Sequence, residues 1–272
     1  MKIYPAIEYL GTIEKGGSTR PWLVEVLTDS GEPDTYVVKM FTSDQVRQMN
    51  AVAKEVFGNI LAAALNLPVP EWALVRFTPE FLATLPEDAK SRNEQCQRGL
   101  RFGSRYHEGY TIFGNQLINS RIRDYDMPSV YGFDNLVRNL DRGGYRNKPN
   151  LLINDDDYLL IDHEQIFPFA NDPDDYNDKA IEEFSNNDWL YPYQVHLFHP
   201  YLNGLKPLKK IGLFDSFAQS LKALDPHIIE NAAQFLTENG HSCGNVDLII
   251  DYLSAVKNDI DKFIAILQRQ IS

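Results

Sequence analysis

Apolar and β-branched positions in the front of the chain come in short runs, each cut off by a glycine-, proline- or aspartate-rich segment. Residues 7–13, Trp22–Leu27 and 35–41 are three such runs, separated by GGSTRP and TDSGEPD. Short β-rich runs bounded by turn formers predict strands. The second and third, joined across 28–34, predict an antiparallel hairpin. The period then changes. Over 43–67 the apolar residues Val46, Met49, Ala53, Val56, Phe57 and Ile60 recur at helical spacing, with Ser43 or Asp44 as a cap and Pro68 just past the end. Gly58 inside this pattern leaves one interrupted helix or two. Residues 72–77 and 101–106 predict further strands, with 86–99 a polar loop or short solvated helix between them.

Beyond Gly103 and Gly109, which mark a candidate hinge, the pattern turns helical. A helix is expected over 131–140, and two short apolar runs, Leu151–Ile153 and 158–161, predict a hairpin turning at 154–157. Further helices are expected over 213–224, 226–236 and 246–270. The last carries Ile249, Ile250, Leu253, Val256, Ile260, Phe263, Ile264 and Leu267 on one face. The acidic run 172–178 reads as a solvated loop. Strands first and helices afterwards imply an α+β fold rather than a doubly wound parallel sheet. The expected division is a β-rich lobe over 1–103 and a mainly helical lobe over 104–272.

Composition narrows the class. With 272 residues, 43% of them hydrophobic, the chain can bury a sizeable core, and its net charge of −12 argues against a nucleic-acid or anionic-membrane partner. Cys96 and Cys243 form no metal-ligating pair, and the six histidines show no HExxH-type spacing. The N-terminal MKIYPAIEYLGTIEKGG has no apolar h-region, and no apolar run approaches the roughly 20 residues that span a bilayer. A reduced, soluble, cytoplasmic protein is expected.

The chemistry concentrates in NLDRGGYRNKPNLLINDDDYLLIDHE, residues 139–164. Taken alone it reads as a polar surface hairpin. Yet Asn150 directly precedes one apolar run and Asp162 directly follows the other. Antiparallel strands lie roughly 5 Å apart, so a hairpin brings these two to one end, with Asp141 on the preceding loop. Side-chain oxygens of this kind suit Mg²⁺.

This stretch resembles the catalytic segment of the protein-kinase-like superfamily, and in particular its HipA-like kinases, where a helix runs into a motif like NLDR. The resemblance implies a two-lobed protein-kinase-like fold that transfers the γ-phosphate of ATP. It implies that Asp141 is the catalytic base or substrate orienter, and that Asn150 and Asp162 hold Mg²⁺. In front of it, YVVKMF places Lys39 like the phosphate-binding lysine, and KEVFGNILAAALNLPVP carries Glu55 as its ion-pair partner. GTIEKGGSTRP, with Gly16, Gly17 and Ser18, stands where a loop covers the phosphates. Ser18 and Thr19 also match a loop that such kinases modify.

Two departures stand out. Kinases place about four residues between the first Asp and the Asn, whereas RGGYRNKP puts eight here, so Asn147 competes with Asn150. DHE replaces the DFG triplet. Arg142, Arg146 and Lys148 in the same loop either grip phosphate or an acidic substrate, or are incidental surface charge. The expected ligands are ATP, Mg²⁺ and an acceptor, protein or small molecule, whose identity is not implied. A nucleotide-binding pseudokinase serving as a regulatory module is the alternative.

Overall fold

The structure, a computed structural model, describes residues 1–14, 20–114, 126–143 and 148–272. The expected hairpin forms: β2 (Trp22–Leu27) pairs antiparallel with β3 (Pro33–Val38), from Trp22 opposite Val38 to Leu27 opposite Pro33. Its turn is closed by Thr28, whose hydroxyl donates to the Glu32 carbonyl at 2.8 Å. β1 (Ile3–Thr12) begins earlier than expected because Ile3–Pro5 pairs in parallel with β4 (Trp72–Arg76). β5 (Arg101–Arg105) lies between β3 and β4, and the ring β1-β2-β3-β5-β4 closes into a barrel. Closure removes the exposed sheet edges that an open front sheet would carry. Two register shifts in β1 give the bend that closure needs. Trp22, Val24 and Val26 alternate inward with Tyr36, Val38, Ala73 and Val75 to fill the barrel.

The helical pattern over 43–67 is realised as α1 (Ser43–Gln48) and α2 (Ala51–Ala64). The cap is Thr42 rather than Ser43 or Asp44: its hydroxyl accepts from Gln45 N, and Gln45 Oε1 accepts from Thr42 N, a reciprocal capping box. The break falls at Asn50, in the left-handed region at φ 54°, and not at Gly58. Gly58 serves packing instead, because a Cβ there would lie 2.3 Å from His163 Cβ. α3 (Pro79–Thr84) and α4 (Glu87–Glu94) precede β5.

A second small sheet has the order β6 (Thr111–Ile112), β7 (Leu151–Ile153), β8 (Tyr158–Leu160). The β7–β8 hairpin turns at Asn154, whose side-chain oxygen accepts from Asp156 N and Asp157 N at 2.8 and 2.7 Å. α5 (Met127–Leu136) stops short of the expected 140, because Arg138 adopts φ 52° and ends the helical path. The remaining helices are α6 (Lys179–Ser185), α7 (His199–Asn203), α8 (Pro207–Lys210), α9 (Asp215–Ala223), α10 (Glu230–Glu238), α11 (Val246–Asn258) and α12 (Ile260–Gln270). The expected 246–270 helix is therefore two, broken at Asp259, whose side chain accepts from Lys262 N and caps the second. Residues 172–176 and 178 are exposed, as the acidic run predicts.

One large apolar cluster joins α2, α5, the β7–β8 hairpin and the C-terminal helices, and the barrel has its own. The molecule is thus mixed α/β, strands leading and helices following. No helix among the described residues is long and apolar enough to cross a membrane.

Candidate active site

Lys39 follows the last residue of β3, still extended, its N–H donating to the Phe102 carbonyl at 2.9 Å. Its side chain leaves the barrel toward α2 and the end of β8. There Nζ meets Asp162 Oδ1 at 2.5 Å and Glu55 Oε1 at 3.3 Å. Glu55 is fixed from the other side, its Oε2 accepting the His163 backbone N–H at 3.1 Å. Burial disfavours the Lys39 ammonium, but Asp162, Glu55 and Glu164 around it outweigh that and hold its pKa above the usual lysine value. Burial likewise pushes the Asp162 carboxyl up, yet Lys39 wins and keeps it below the usual aspartate value. Glu55, farther from the ammonium, goes the other way: burial, helped by Asp162 and Glu164, raises it against Lys39. Distance decides between the two acids, since Coulomb energy falls as separation grows.

Asn150 stands opposite Ile161 at the open end of the hairpin, where Ile161 N donates to Asn150 O at 3.2 Å, and Asp162 follows directly. Asn150 and Asp162 both sit in the left-handed region, at φ 45° and 64°. Non-glycine residues there are uncommon outside turns and functional sites. Asn150 Nδ2 reaches Asp141 Oδ2 at 3.3 Å, and Lys148 Nζ reaches the same oxygen at 3.2 Å.

The loop bearing Asp141 is held by a carboxylate that lies near the end of the preceding helix. Asp134, fully buried in α5, accepts from Arg142 Nε at 2.6 Å, His196 Nε2 at 2.9 Å and Asn139 Nδ2 at 2.8 Å. His196 Nδ1 accepts from Phe198 N at 3.1 Å, so Nε2 carries the proton and donates to Asp134. Burial keeps this imidazole below its usual pKa and neutral. Burial would raise Asp134 as well, but Arg142 and His196 hold it below the usual value. Arg142 also donates from Nη1 to the Asn150 carbonyl, so one guanidinium ties the Asp141 loop to β7. Asn139 Oδ1 accepts from Asp141 N at 3.1 Å, and Tyr191 OH donates to Asn139 O at 2.6 Å. Gly143, at φ 89°, passes so close to the chain at 195–197 that a Cβ would meet Leu197 N at 2.5 Å.

Between barrel and hairpin sheet opens a cleft of about 280 Å³. Ile13, Val37, Phe102, Ile112, Leu152 and Leu160 give it apolar walls, and Lys39, Glu55 and Asp162 a charged end. Ile13 and Pro21, whose backbones bond at 2.9 Å across the base of the loop after β1, stand at its wall. An apolar slot with convergent polar groups at one end is the usual form of a small-ligand site.

Of the residues singled out from sequence, Lys39, Glu55 and Asp162 meet directly, and Asp141 and Asn150 meet beside them. Gly16, Gly17, Ser18 and Thr19, together with Arg146 and Asn147, lie outside the described residues. Arg142 is buried and committed to Asp134, which removes it as a surface grip for phosphate. Lys148 instead stands at Asp141. Sequence reasoning missed Asp134 and His196. The visible signal for the first was a carboxylate inside the apolar run VYGFDNLV. It left Glu164 open between lining the site and a structural role, and the carboxylate is buried beside Asp162 and Glu55.

No curated protein matches the chain. A solved structure, the proinflammatory kinase CtkA of Helicobacter pylori, aligns over 100% of this chain and 97% of its own at 12% identity and a TM-score of 0.46. The model of the HipA-like kinase family matches residues 7–194, a span that takes in most of the barrel, the cleft, the hairpin, and Asp134 with Asn139 and Arg142, and ends just before His196. The chain belongs to the HipA-like kinase family.

Proposed function

We propose that this chain is an ATP- and Mg²⁺-dependent phosphotransferase that passes the γ-phosphoryl group to a hydroxyl acceptor, a protein serine or threonine being one candidate. The observation that carries this reading is the Lys39–Glu55–Asp162 ion-pair group at the charged end of the apolar cleft, with Asp141 and Asn150 beside it. The barrel side, through residue 103, is the ATP-clamping lobe and the rest the catalytic lobe. The adenine takes the apolar slot, and Lys39, positioned by Glu55, faces the α- and β-phosphates. The donor set suits a hard divalent cation: Asn150 and Asp162 offer oxygens at adjacent strand ends, and buried Glu164 Oε2 has no hydrogen-bond partner. Asn150 and Asp162 hold the Mg²⁺. When bound, the ion neutralises charge on the triphosphate. Asp141 orients the acceptor hydroxyl and takes its proton as the new O–P bond forms and the bond to the ADP oxygen breaks. Lys148, 3.2 Å from Asp141, offsets charge on the same side.

The test is transfer of label from γ-labelled ATP in the presence of Mg²⁺, with a thermal shift by ATP measured alongside. Turnover supports the enzyme. A shift without turnover supports the pseudokinase, a reading that draws on the engagement of Asp141 Oδ2 by both Lys148 and Asn150. Neither shift nor turnover refutes both.

A further inference from the structure

Three carboxylates, Glu55, Asp162 and Glu164, each present an oxygen so that all three lie within 4.8 Å of one another, and all three are buried. Their commitments differ. Glu55 is used on both sides, by Lys39 and by the His163 N–H. Asp162 gives one oxygen to Lys39. Glu164 is 5% exposed, joins no ion pair among the described residues, and its Oε2 accepts no hydrogen bond. An unpaired anionic oxygen inside a protein is costly, and buried charges are as a rule paired or bound to metal.

Lys39 and Lys148 favour the charge of Glu164, and Glu164 that of buried Lys54, but none of the three lysines forms an ion pair with it among the described residues. The segment after β8 is already fixed by the His163 N–H on Glu55 and by His163 packed into the space that Gly58 leaves. Glu164 presents one oxygen to the other two carboxylates, and its Oε2 has no donor. Magnesium sites in nucleotide enzymes usually draw one or two protein carboxylates and complete their shell with phosphate and water. A third buried carboxylate raises the negative charge at the site before any nucleotide arrives.

We infer that Glu164 is a carboxylate ligand, beside Asp162, for the divalent cation of this site, and that the chain takes up a hard divalent cation without nucleotide. This rests on the reading of the site as a metal-dependent phosphotransferase, but its test does not need turnover.

The experiment is Mn²⁺ binding to the nucleotide-free protein, followed by electron paramagnetic resonance and calorimetry, for wild type and Glu164→Gln. Wild type is expected to bind, and the amide to weaken affinity by about tenfold or more, as loss of a charged ligand does. The metal-free Glu164→Gln protein is expected to melt no lower than wild type, since the amide relieves repulsion among the three acids. A purely structural glutamate would show the reverse, a lower melting temperature with Mn²⁺ affinity intact. Affinity within twofold of wild type, or a wild type that binds no Mn²⁺ without nucleotide, overturns the inference. If Glu164→Gln does not fold, Glu164→Asp decides: affinity weakened at an unchanged metal-free melting temperature supports the ligand, unchanged affinity removes it. ADP- and ATP-induced thermal shifts of wild type in the presence of Mg²⁺ keep the two readings apart. If ADP binds and Mn²⁺ affinity ignores Glu164, only the ligand role falls. If neither ADP nor ATP binds wild type, the kinase reading falls with it.

Discussion

Asp134→Ala tests the argument that the site is held from beneath by a buried carboxylate. Asp134 is fully buried and accepts from Arg142, His196 and Asn139 at 2.6, 2.9 and 2.8 Å. Removing it leaves the Arg142 guanidinium in the interior with only the Asn150 carbonyl, and Arg142 Nη2 already has no partner. Breaking a buried ion pair by deleting one member costs about 3–5 kcal/mol. At about 2–4 °C per kcal/mol, the value for chains a little shorter than this one, the melting temperature should fall on the order of 10 °C. Asp134→Asn keeps the shape and an acceptor and should lose roughly half as much. The sign with pH follows from the direction of the shift. The folded-state pKa of Asp134 lies below the usual aspartate value, so its stabilisation is complete above the unfolded value and fades as pH falls through the folded one. The gap between wild type and Asp134→Asn should therefore be constant at neutral pH and close only in strong acid. Calorimetric melts from pH 7 down to acid, with nucleotide-induced shift on the same samples, read both quantities. A loss of less than about 1 kcal/mol, within the range of an ordinary substitution, would refute the reasoning.

Asp141→Ala should keep nucleotide binding but lose transfer, whereas Asp162→Ala should lose Mg²⁺-dependent binding as well; unchanged turnover of γ-labelled ATP in both variants defeats the assignment. Lys39→Met strands Glu55 and Asp162 in the interior without their ammonium. It should cost about 3 kcal/mol by urea denaturation and abolish the ATP-induced thermal shift. Gly143→Ala forces a Cβ to within 2.5 Å of Leu197 N at a φ of 89° and should cost about 1–3 kcal/mol while displacing the Asp141 loop. Wild-type stability and turnover for this variant would show that the loop does not pack against 195–197 as closely as described.

Local pattern carried the strands and the helices, and it failed where tertiary contact overrode it. The β2–β3 and β7–β8 hairpins were legible because turn chemistry and alternation coincide at TDSGEPD and NDDD. Barrel closure was not, because the parallel pairing of Ile3–Pro5 with Leu74–Arg76 leaves no local signature. The helix over 43–67 was legible but its break was misplaced. Gly58 looked like the weak point, while the chain turns at Asn50 and spends Gly58 on contact with His163. α5 ended early for a related reason. FDNLVRNL has helical composition throughout, but Arg138 leaves the helix to pair with Glu183 at 2.6 Å and stack on Trp189.

The site divides in the same way. Lys39, Glu55, Asp141, Asn150 and Asp162 were legible as a group because they keep a motif's order along the chain. Asp134 and His196 were not, since they are 62 positions apart and meet only after α5 and the segment before α7 pack together. This division has an energetic sense. Lys39 bonded at 2.5 Å to Asp162 and Asn150 bonded to Asp141 mean that these proposed ligand-facing groups, unlike Glu164, are already paired within the protein. On the proposed function such pairs exchange partners when nucleotide and metal enter, and only a scaffold that does not yield with them can return the groups to register. The neutral His196, the ionised Asp134 and the buried Arg142 form that scaffold, tying α5, the Asp141 loop and β7 into one unit. Loss of the scaffold should thus cost stability first and transfer with it, whereas loss of Asp141 should cost transfer alone.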